Sequence, residues 1–187
     1  GLNKYDGYQF HIFRKEVSAD MGMASNYVNC IMQDSRGTFF VGMYGALQSF
    51  NGYHFQDIQV YDLQNRIMPP YVTCLLERHN GDVIIGTSGH GLLRLTDAKK
   101  ARQVGGALAD IVGVRQMTED SQNRLWIVTE EQGLVCFDGK KTTRYFQEDD
   151  LRTQLRAVRE GKDKRIYLGT AQNGLFVLGE KGVFEHI

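Results

Sequence analysis

Acidic residues recur along the chain in a way that could bring two carboxylates together for acid–base chemistry. Asp34 and Asp120 each precede a turn, and Glu77, Glu119 and Glu160 share one position of a repeated segment. Paired carboxylates act as general acid and general base in glycoside cleavage. Their recurrence favours a structural interpretation instead, because Asp side chains placed before a hairpin bond the amides of the turn. We therefore assign no catalytic residue.

Histidine and cysteine do not occur at spacings that bind a metal ion. The five histidines fall at unrelated positions of the repeat, and the sequence contains no His-x-x-x-His pair. Those five are His11, His54, His79, His90 and His186. Cys30, Cys74 and Cys136 form no CxxC motif, and we expect three buried thiols rather than a disulfide. We assign no metal and no cofactor.

The composition excludes several classes of partner. Lys plus Arg and Asp plus Glu both number 22, so the formal net charge is zero. A nucleic-acid surface needs clustered cations, and so does an electrostatic membrane anchor. No apolar run approaches the roughly 20 residues of a membrane span. We expect no nucleic acid, no direct membrane contact by this segment, and any targeting parts outside it.

These residues are positioned by a repeat of 41 to 45 residues. Four segments align: Gln33–Gly42, Glu77–Gly86, Glu119–Val128 and Glu160–Gly169. A second signature, Gly followed by mostly apolar residues, comes after each segment: Gly45–Phe50, Gly91–Leu95, Gly133–Phe137 and Gly174–Leu178. The chain opens on the same signature at Gly1–Tyr5. It is therefore expected to begin in the middle of a repeat.

Each repeat reads as four short antiparallel strands, which is typical of a β-propeller blade. Its second strand is apolar without alternation, as in Val83–Ile85, and such strands are buried on both faces. A turn that needs positive φ precedes this strand at Gly37, Gly81 and Asn123. Lys164 occupies that position in the fourth repeat, so we expect its turn to be reshaped around Gly161.

The prediction is an all-β chain of about four and a half propeller blades, forming a partial propeller or open arc. We treat 1–187 as one domain, with the half blade at about 1–16. The complete blades are expected at about 27–60, 71–105, 113–147 and 154–187. An isolated arc would expose two apolar end faces, so neighbouring blades or a second copy of the chain should cover them.

The repeat resembles the two-component regulator propeller repeat. Asp120–Thr129 followed by Gly133 and Leu134 fits its pattern, except that Val128 replaces a glycine. The Gly-Thr step that ends its second strand is present at Gly86–Thr87 and Gly169–Thr170, and Gly42–Met43 fits it more loosely.

The resemblance implies the extracytoplasmic, periplasmic part of a bacterial inner-membrane receptor. Such receptors are hybrid two-component sensor histidine kinases, often in bacteria that digest polysaccharides. It therefore implies a non-enzymatic sensor of oligosaccharide that forms a homodimer in the full receptor. Two alternatives stay open: a polysaccharide-active propeller enzyme, either lyase or glycosidase, and a structural propeller for dimerisation or docking.

The loops between the second and third strands are the best place for a ligand, because they vary while their flanks repeat. Polar and aromatic side chains there can bond sugar hydroxyls and stack on sugar rings. The candidate ligand-binding residues are Tyr44, His90, Glu131, Gln132, Gln172 and Asn173. Trp126 also suggests a sugar platform, but its place inside a second strand favours packing between blades.

Overall fold

The described part of the chain folds into β-sheets with two short 3₁₀ turns. The computed structural model describes residues 1–15, 22–148, 150–179 and 181–187. A two-stranded sheet comes first, made of β1 (Leu2–Tyr5) and β2 (Phe10–Phe13). The 3₁₀ turns are Gly106–Leu108 and Asp150–Thr153. No helix among the described residues is long and apolar enough to cross a membrane.

Four blade sheets follow in chain order, each with its first strand at the sheet edge. Blade 1 contains β3 (Val28–Gln33), β4 (Phe39–Met43), β5 (Ala46–Phe50) and β6 (Phe55–Asp57). Blade 2 contains an extra strand, β7 (Gln59–Tyr61), and the four strands of the repeat, which are β8 (Val72–Glu77), β9 (Val83–Thr87), β10 (Leu92–Asp97) and β11 (Lys100–Gln103). We count β8 as its first strand and β9 as its second. Blade 3 contains β12 (Val114–Glu119), β13 (Leu125–Thr129), β14 (Leu134–Phe137) and β15 (Thr142–Tyr145). Blade 4 contains β16 (Leu155–Glu160), β17 (Ile166–Thr170), β18 (Leu175–Leu178) and β19 (Phe184–His186).

The predicted class, an all-β fold of antiparallel propeller blades, is confirmed. Blade 2 adds a strand that the repeat did not predict, because β7 pairs in parallel with the outer strand β11. Only Ile58 separates β7 from β6, so the chain passes from the rim of blade 1 directly onto the rim of blade 2. Val60 and Ala101, which are paired in this ladder, are both buried. Their burial supplies the reason for the extra strand.

The core lies between the blades rather than within them. One cluster joins Phe40 of blade 1 to Ile85 of blade 2, and the next joins Ile84 to Ile127 of blade 3. The second strands β9 and β13 are buried at all five positions, as their unbroken apolar runs predicted. Burial is less complete in β17 of blade 4, because another blade covers only one face of that blade.

Trp126 packs between blades, as its position predicted. It is completely buried, in the cluster that joins blades 3 and 4, and its ring stacks on Tyr145 at 5.9 Å between centroids. Its indole nitrogen donates a 2.7 Å hydrogen bond to Asp120. Burial raises the pKa of Asp120, but the hydrogen bonds from Trp126 and Arg124 lower it by more than burial raises it. The pKa of Asp120 therefore lies below its usual value. Asp120 is therefore an architectural carboxylate.

The repeated glutamates tie each blade to the one before it. Glu77 accepts hydrogen bonds from the amide and hydroxyl of Ser35, both at 2.7 Å, across 42 residues of sequence. Glu160 bonds Ser121 in the same way. Glu119 is nearly buried and accepts from the His79 amide at 2.6 Å and the Arg78 guanidinium at 2.8 Å. Their recurrence is thus explained by inter-blade bonds, not by paired catalysis.

The expectation that the last turn is reshaped around Gly161 is wrong. Lys164 adopts φ of 66°, close to the 61° of Asn123, and its amide donates to the Gly161 carbonyl at 3.0 Å. Gly37 and Gly81 make the equivalent bonds in blades 1 and 2. The turn therefore keeps the common geometry and holds a lysine in the left-handed region.

Glycine at the end of a second strand permits the close approach of the next blade. A Cβ atom added at Gly86 would lie 2.5 Å from the Cys74 sulfur and 2.6 Å from Cγ1 of Val114 in blade 3. Gly42 is enclosed in the same way by Cys30 and Val72. The three cysteines are free thiols, and burial raises the pKa of Cys74 to about 11.

We predict that Gly86→Ala lowers the free energy of unfolding by about 1–3 kcal/mol, because the methyl group overlaps side chains of two blades. The measurement is urea unfolding followed by circular dichroism. Gly169→Ala is the matched control, since a Cβ atom there would meet nothing closer than 3.8 Å. Equal stability of both variants would contradict the close-approach interpretation.

We predict that Lys164→Gly raises the free energy of unfolding by about 0.5–1 kcal/mol. Relief of the left-handed conformation, which costs about 1–2 kcal/mol, exceeds the entropy that glycine adds to the unfolded chain. The lost Lys164–Glu160 ion pair contributes little, because it is 3.9 Å long and Lys164 is exposed. Lys162→Gly in the same turn should not stabilise the protein, and a gain there equal to that of Lys164→Gly would refute the explanation.

Candidate functional site

The loops between second and third strands have a fixed backbone. The Thr129 hydroxyl donates to the Gly133 carbonyl at 2.7 Å and accepts from the Gln132 amide at 2.9 Å. Thr87 and Thr170 make the same two bonds in blades 2 and 4. In blade 1, Met43 takes the threonine position and the loop is two residues shorter. A ligand would therefore meet a preorganised surface.

Each of these loops is bonded to the residue that enters the first strand of its own blade. The amides of Tyr44, Ser88, Glu130 and Ala171 donate to the carbonyls of Tyr27, Tyr71, Gly113 and Gln154, respectively. The four loops and the four entry residues consequently lie at the same end of the stacked blades. We call this surface, made of the eight residues just named and the loops that they begin, the loop end.

Three tyrosines form an exposed aromatic cluster on blades 1 and 2 of the loop end. Tyr27, Tyr44 and Tyr71 are 76%, 60% and 36% exposed. The Tyr44 and Tyr71 ring centroids are 4.4 Å apart, and those of Tyr27 and Tyr44 are 6.4 Å apart. The hydrogen bond with Tyr71 raises the pKa of Tyr44 above its usual value. Clustered exposed aromatic rings commonly mark a binding surface.

Polar groups continue the loop end on blades 2 to 4. The Ser88 hydroxyl donates to the Glu130 carboxylate at 3.1 Å, which joins blades 2 and 3. In blade 4 the Asn173 amide group donates to the Gln154 side chain at 3.1 Å. The loop end therefore changes from aromatic to polar around the stack.

The structure places the six predicted ligand-binding residues in these loops, in different environments. Tyr44 lies in the aromatic cluster, and Glu131 and Gln172 are exposed. The Gln132 side chain accepts from the Val112 amide at 2.9 Å and donates to the Asp110 carbonyl at 2.8 Å. His90 is half-buried, and its carbonyl accepts from the Gln103 side chain. Gln132 and Asn173 thus have bonding partners within the fold, and ligand binding by all six stays a prediction.

Sequence reasoning missed Tyr27 and Tyr71. Both immediately precede a first strand, and the alignment of the repeats places them opposite Gly113 and Gln154. That position varies as much as the loops do, so the signal was present. The prediction considered only the loops between the second and third strands and therefore left this position out.

The fold is that of β-propeller blades, and the variable loops and entry residues lie together at one end of the stack. Residues 22–45 match the family model described as Two component regulator propeller. The matched residues span β3, β4 and the turn between them. The match at residues 22–45 agrees with the sequence resemblance to the two-component regulator propeller repeat. A comparison with curated protein sequences finds no match.

Solved structures with the same fold include extracellular domains of bacterial signalling proteins. The extracellular domain of BT4673 from B. thetaiotaomicron superposes with a TM-score of 0.78 at 11% identity, covering 97% of this chain and 27% of that one. The extracellular domain of the hybrid two-component system BT3049 from the same organism gives 0.68 at 19% identity, covering 95% and 24%. The present chain therefore spans about a quarter of these domains.

An enzyme has the same fold. Virginiamycin B lyase from Staphylococcus aureus superposes with a TM-score of 0.63 at 16% identity, covering 86% of this chain and 55% of that one. At such identities the likeness concerns the fold alone. The choice between a sensor and an enzyme has to rest on the residues of the loop end.

We predict that Thr129→Val lowers the free energy of unfolding by about 1–2 kcal/mol, since the Gln132 amide loses its acceptor and the Gly133 carbonyl keeps only the Thr129 backbone amide as a donor. Amide exchange at Gln132 should accelerate more than exchange in β15. Thr143→Val, on an exposed position of β15, is the control and should leave both quantities unchanged. Unaltered exchange at Gln132 would show that the hydroxyl does not fix the loop.

Proposed function

We propose that this chain is a ligand-sensing segment in the extracytoplasmic propeller region of a hybrid two-component histidine kinase receptor of a bacterial inner membrane. The proposed ligand is an oligosaccharide, and no catalysis takes place in this chain. The observation that carries the proposal is the exposed cluster of Tyr27, Tyr44 and Tyr71 at the loop end. The two-component regulator propeller repeat and the extracellular signalling domains of like fold support it.

The chemistry of the loop end fits a sugar. Aromatic rings stack on the apolar faces of pyranose rings, while the tyrosine hydroxyls and neighbouring amides bond the sugar hydroxyls. Ser88, Glu130 and Asn173 supply such groups on the following blades. An oligosaccharide that spans these blades would contact residues from three or four of them. Its binding would therefore stabilise their stacking, which is a structural change that a receptor can transmit.

The end faces of the stack need further partners. Tyr5, Phe10 and Ile12 lie on the face of the β1–β2 sheet that points away from blade 1, and all three are exposed. Leu2 and Phe13 on the other face pack against blade 1. Neighbouring blades, or a second copy of the chain, would cover the exposed face. In the full receptor we propose a homodimer.

Thermal melting with a panel of plant and host oligosaccharides should identify one that binds the protein. We predict that the affinity of the protein for this oligosaccharide falls when the tyrosine cluster is altered. At 100 times its dissociation constant such a ligand adds about 2.7 kcal/mol of stability, which shifts the midpoint visibly. Tyr44→Ala should weaken binding about threefold to tenfold, because one stacking contact is worth about 1 kcal/mol.

Tyr53→Ala is the matched control, since Tyr53 is also exposed but lies in the hairpin turn after β5, away from the loop end. It should leave the affinity unchanged. If no oligosaccharide in the panel binds the full extracytoplasmic region, the sensor proposal is wrong. Release of shorter saccharides from a bound one would instead favour the enzyme alternative.

A further inference from the structure

A β-bulge recurs at the second residue of the first strand in all four blades. The antiparallel register shifts by one residue at Asn29, Thr73, Arg115 and Arg156. These strands are the free edges of their sheets, and β3, β8 and β12 each contact the first strand of the next blade. Bulges redirect side chains and are common beside functional sites. The four bulge residues therefore form a row along the inner edges of the blades.

The row lies just below the loop end. Each bulge residue follows an entry residue by two positions, for example Tyr71 and Thr73, which corresponds to about 7 Å along a strand. A ligand held by the loop end is within reach of this row.

The first two bulge residues are neutral and fully engaged with the following blade. The Asn29 side-chain amide donates to the Val72 carbonyl at 2.8 Å. The Thr73 hydroxyl donates to the Val114 carbonyl at 2.6 Å. In both cases the acceptor is the residue immediately before the next bulge. These positions therefore serve the joint between blades.

Arg115 breaks this pattern. Its equivalent acceptor is the Leu155 carbonyl, which already accepts a 3.0 Å hydrogen bond from the Arg156 guanidinium. The Nε atom of Arg115 is buried and has no hydrogen-bond partner, which is true of no other buried side-chain nitrogen or oxygen in the described part of the chain. Arg115 and Arg156 thus stand at successive positions of the row, one with an unsatisfied buried donor.

A buried guanidinium nitrogen without an acceptor is costly, and two neighbouring cations repel each other. Within the described residues, neither arginine forms an ion pair with a carboxylate. Glu130 lies beside Gly113, the residue that enters β12, but its carboxylate bonds Ser88. An anion would satisfy the free donor and offset the repulsion at once.

We propose that Arg115 and Arg156 form an anion subsite for a carboxylate or sulfate group of the ligand. The guanidinium fork matches the planar carboxylate and the oxygens of a sulfate group, and it binds both through charge-assisted hydrogen bonds. The inference deepens the proposed function and rests on it, because it assigns the oligosaccharide a negatively charged group. The sensed saccharide is then acidic, carrying either uronic acid or sulfate ester groups.

Calorimetric titration at constant ionic strength tests the subsite. The probes are tetragalacturonate, a sulfated oligosaccharide, maltotetraose as the uncharged counterpart, and inorganic sulfate. Arg115→Met and Arg156→Met should each weaken binding of the charged saccharide at least tenfold. Arg115→Lys keeps the charge but loses the fork, and it should weaken binding less. Arg159→Met, an exposed arginine on the same strand β16, is the matched control and should not change the affinity.

The outcomes separate the two proposals. If Arg115→Met and Arg156→Met both bind the charged saccharide as tightly as the unaltered protein does, the subsite proposal is wrong and oligosaccharide sensing stands. Binding of maltotetraose alone leads to the same conclusion. If no saccharide binds, the proposed function fails, and the subsite stands only if inorganic sulfate binds the unaltered protein and not Arg115→Met. Circular dichroism checks that each variant is folded. If Arg115→Met is unfolded, the affinity of Arg115→Lys tests the role of Arg115 in its place.

Discussion

The whole structure depends on the fact that the second strand of each blade is apolar on both faces. Such a strand has no side to present to water, so each blade requires a neighbour on either side. Burying β9 and β13 at every position satisfies this requirement for blades 2 and 3. The inter-blade carboxylates and the glycine contacts at Gly42 and Gly86 are refinements of the same stacking. They set how closely, and in which register, one blade meets the next.

The stacking also explains why so many reactive residue types are inert here. Asp120 is held by an indole and a guanidinium within the core between blades 3 and 4. Glu77 and Glu160 close turns of the preceding blades, and burial keeps the Cys74 thiol protonated well above neutral pH. A residue that repeats every blade is needed by every blade. Function is therefore to be sought among residues that do not repeat.

The repeat predicted the blades because strand burial, turn geometry and inter-blade packing all recur with the chain period. It could not predict β7, whose pairing with β11 arises from the particular path between blades 1 and 2. It also misread Lys164, because the hydrogen bonds of the turn outweigh the strain of a left-handed lysine. At the loop end, the variable loops indicated Tyr44, whereas only the backbone bonds between entry residues and loops show that Tyr27 and Tyr71 lie beside it.

The bulge row shows how a repeated fold makes room for a specific site. A bulge in every first strand frees one side chain per blade from the ladder, whatever residue occupies it. Asn29 and Thr73 use that freedom to bond the next blade, so their positions are committed to architecture. Once Arg156 satisfies the Leu155 carbonyl from its own blade, the joint between blades 3 and 4 no longer needs a donor from Arg115. The fold thereby leaves a buried cationic donor free beside the loop end, and such a donor carries a cost that the proposed anionic ligand would remove.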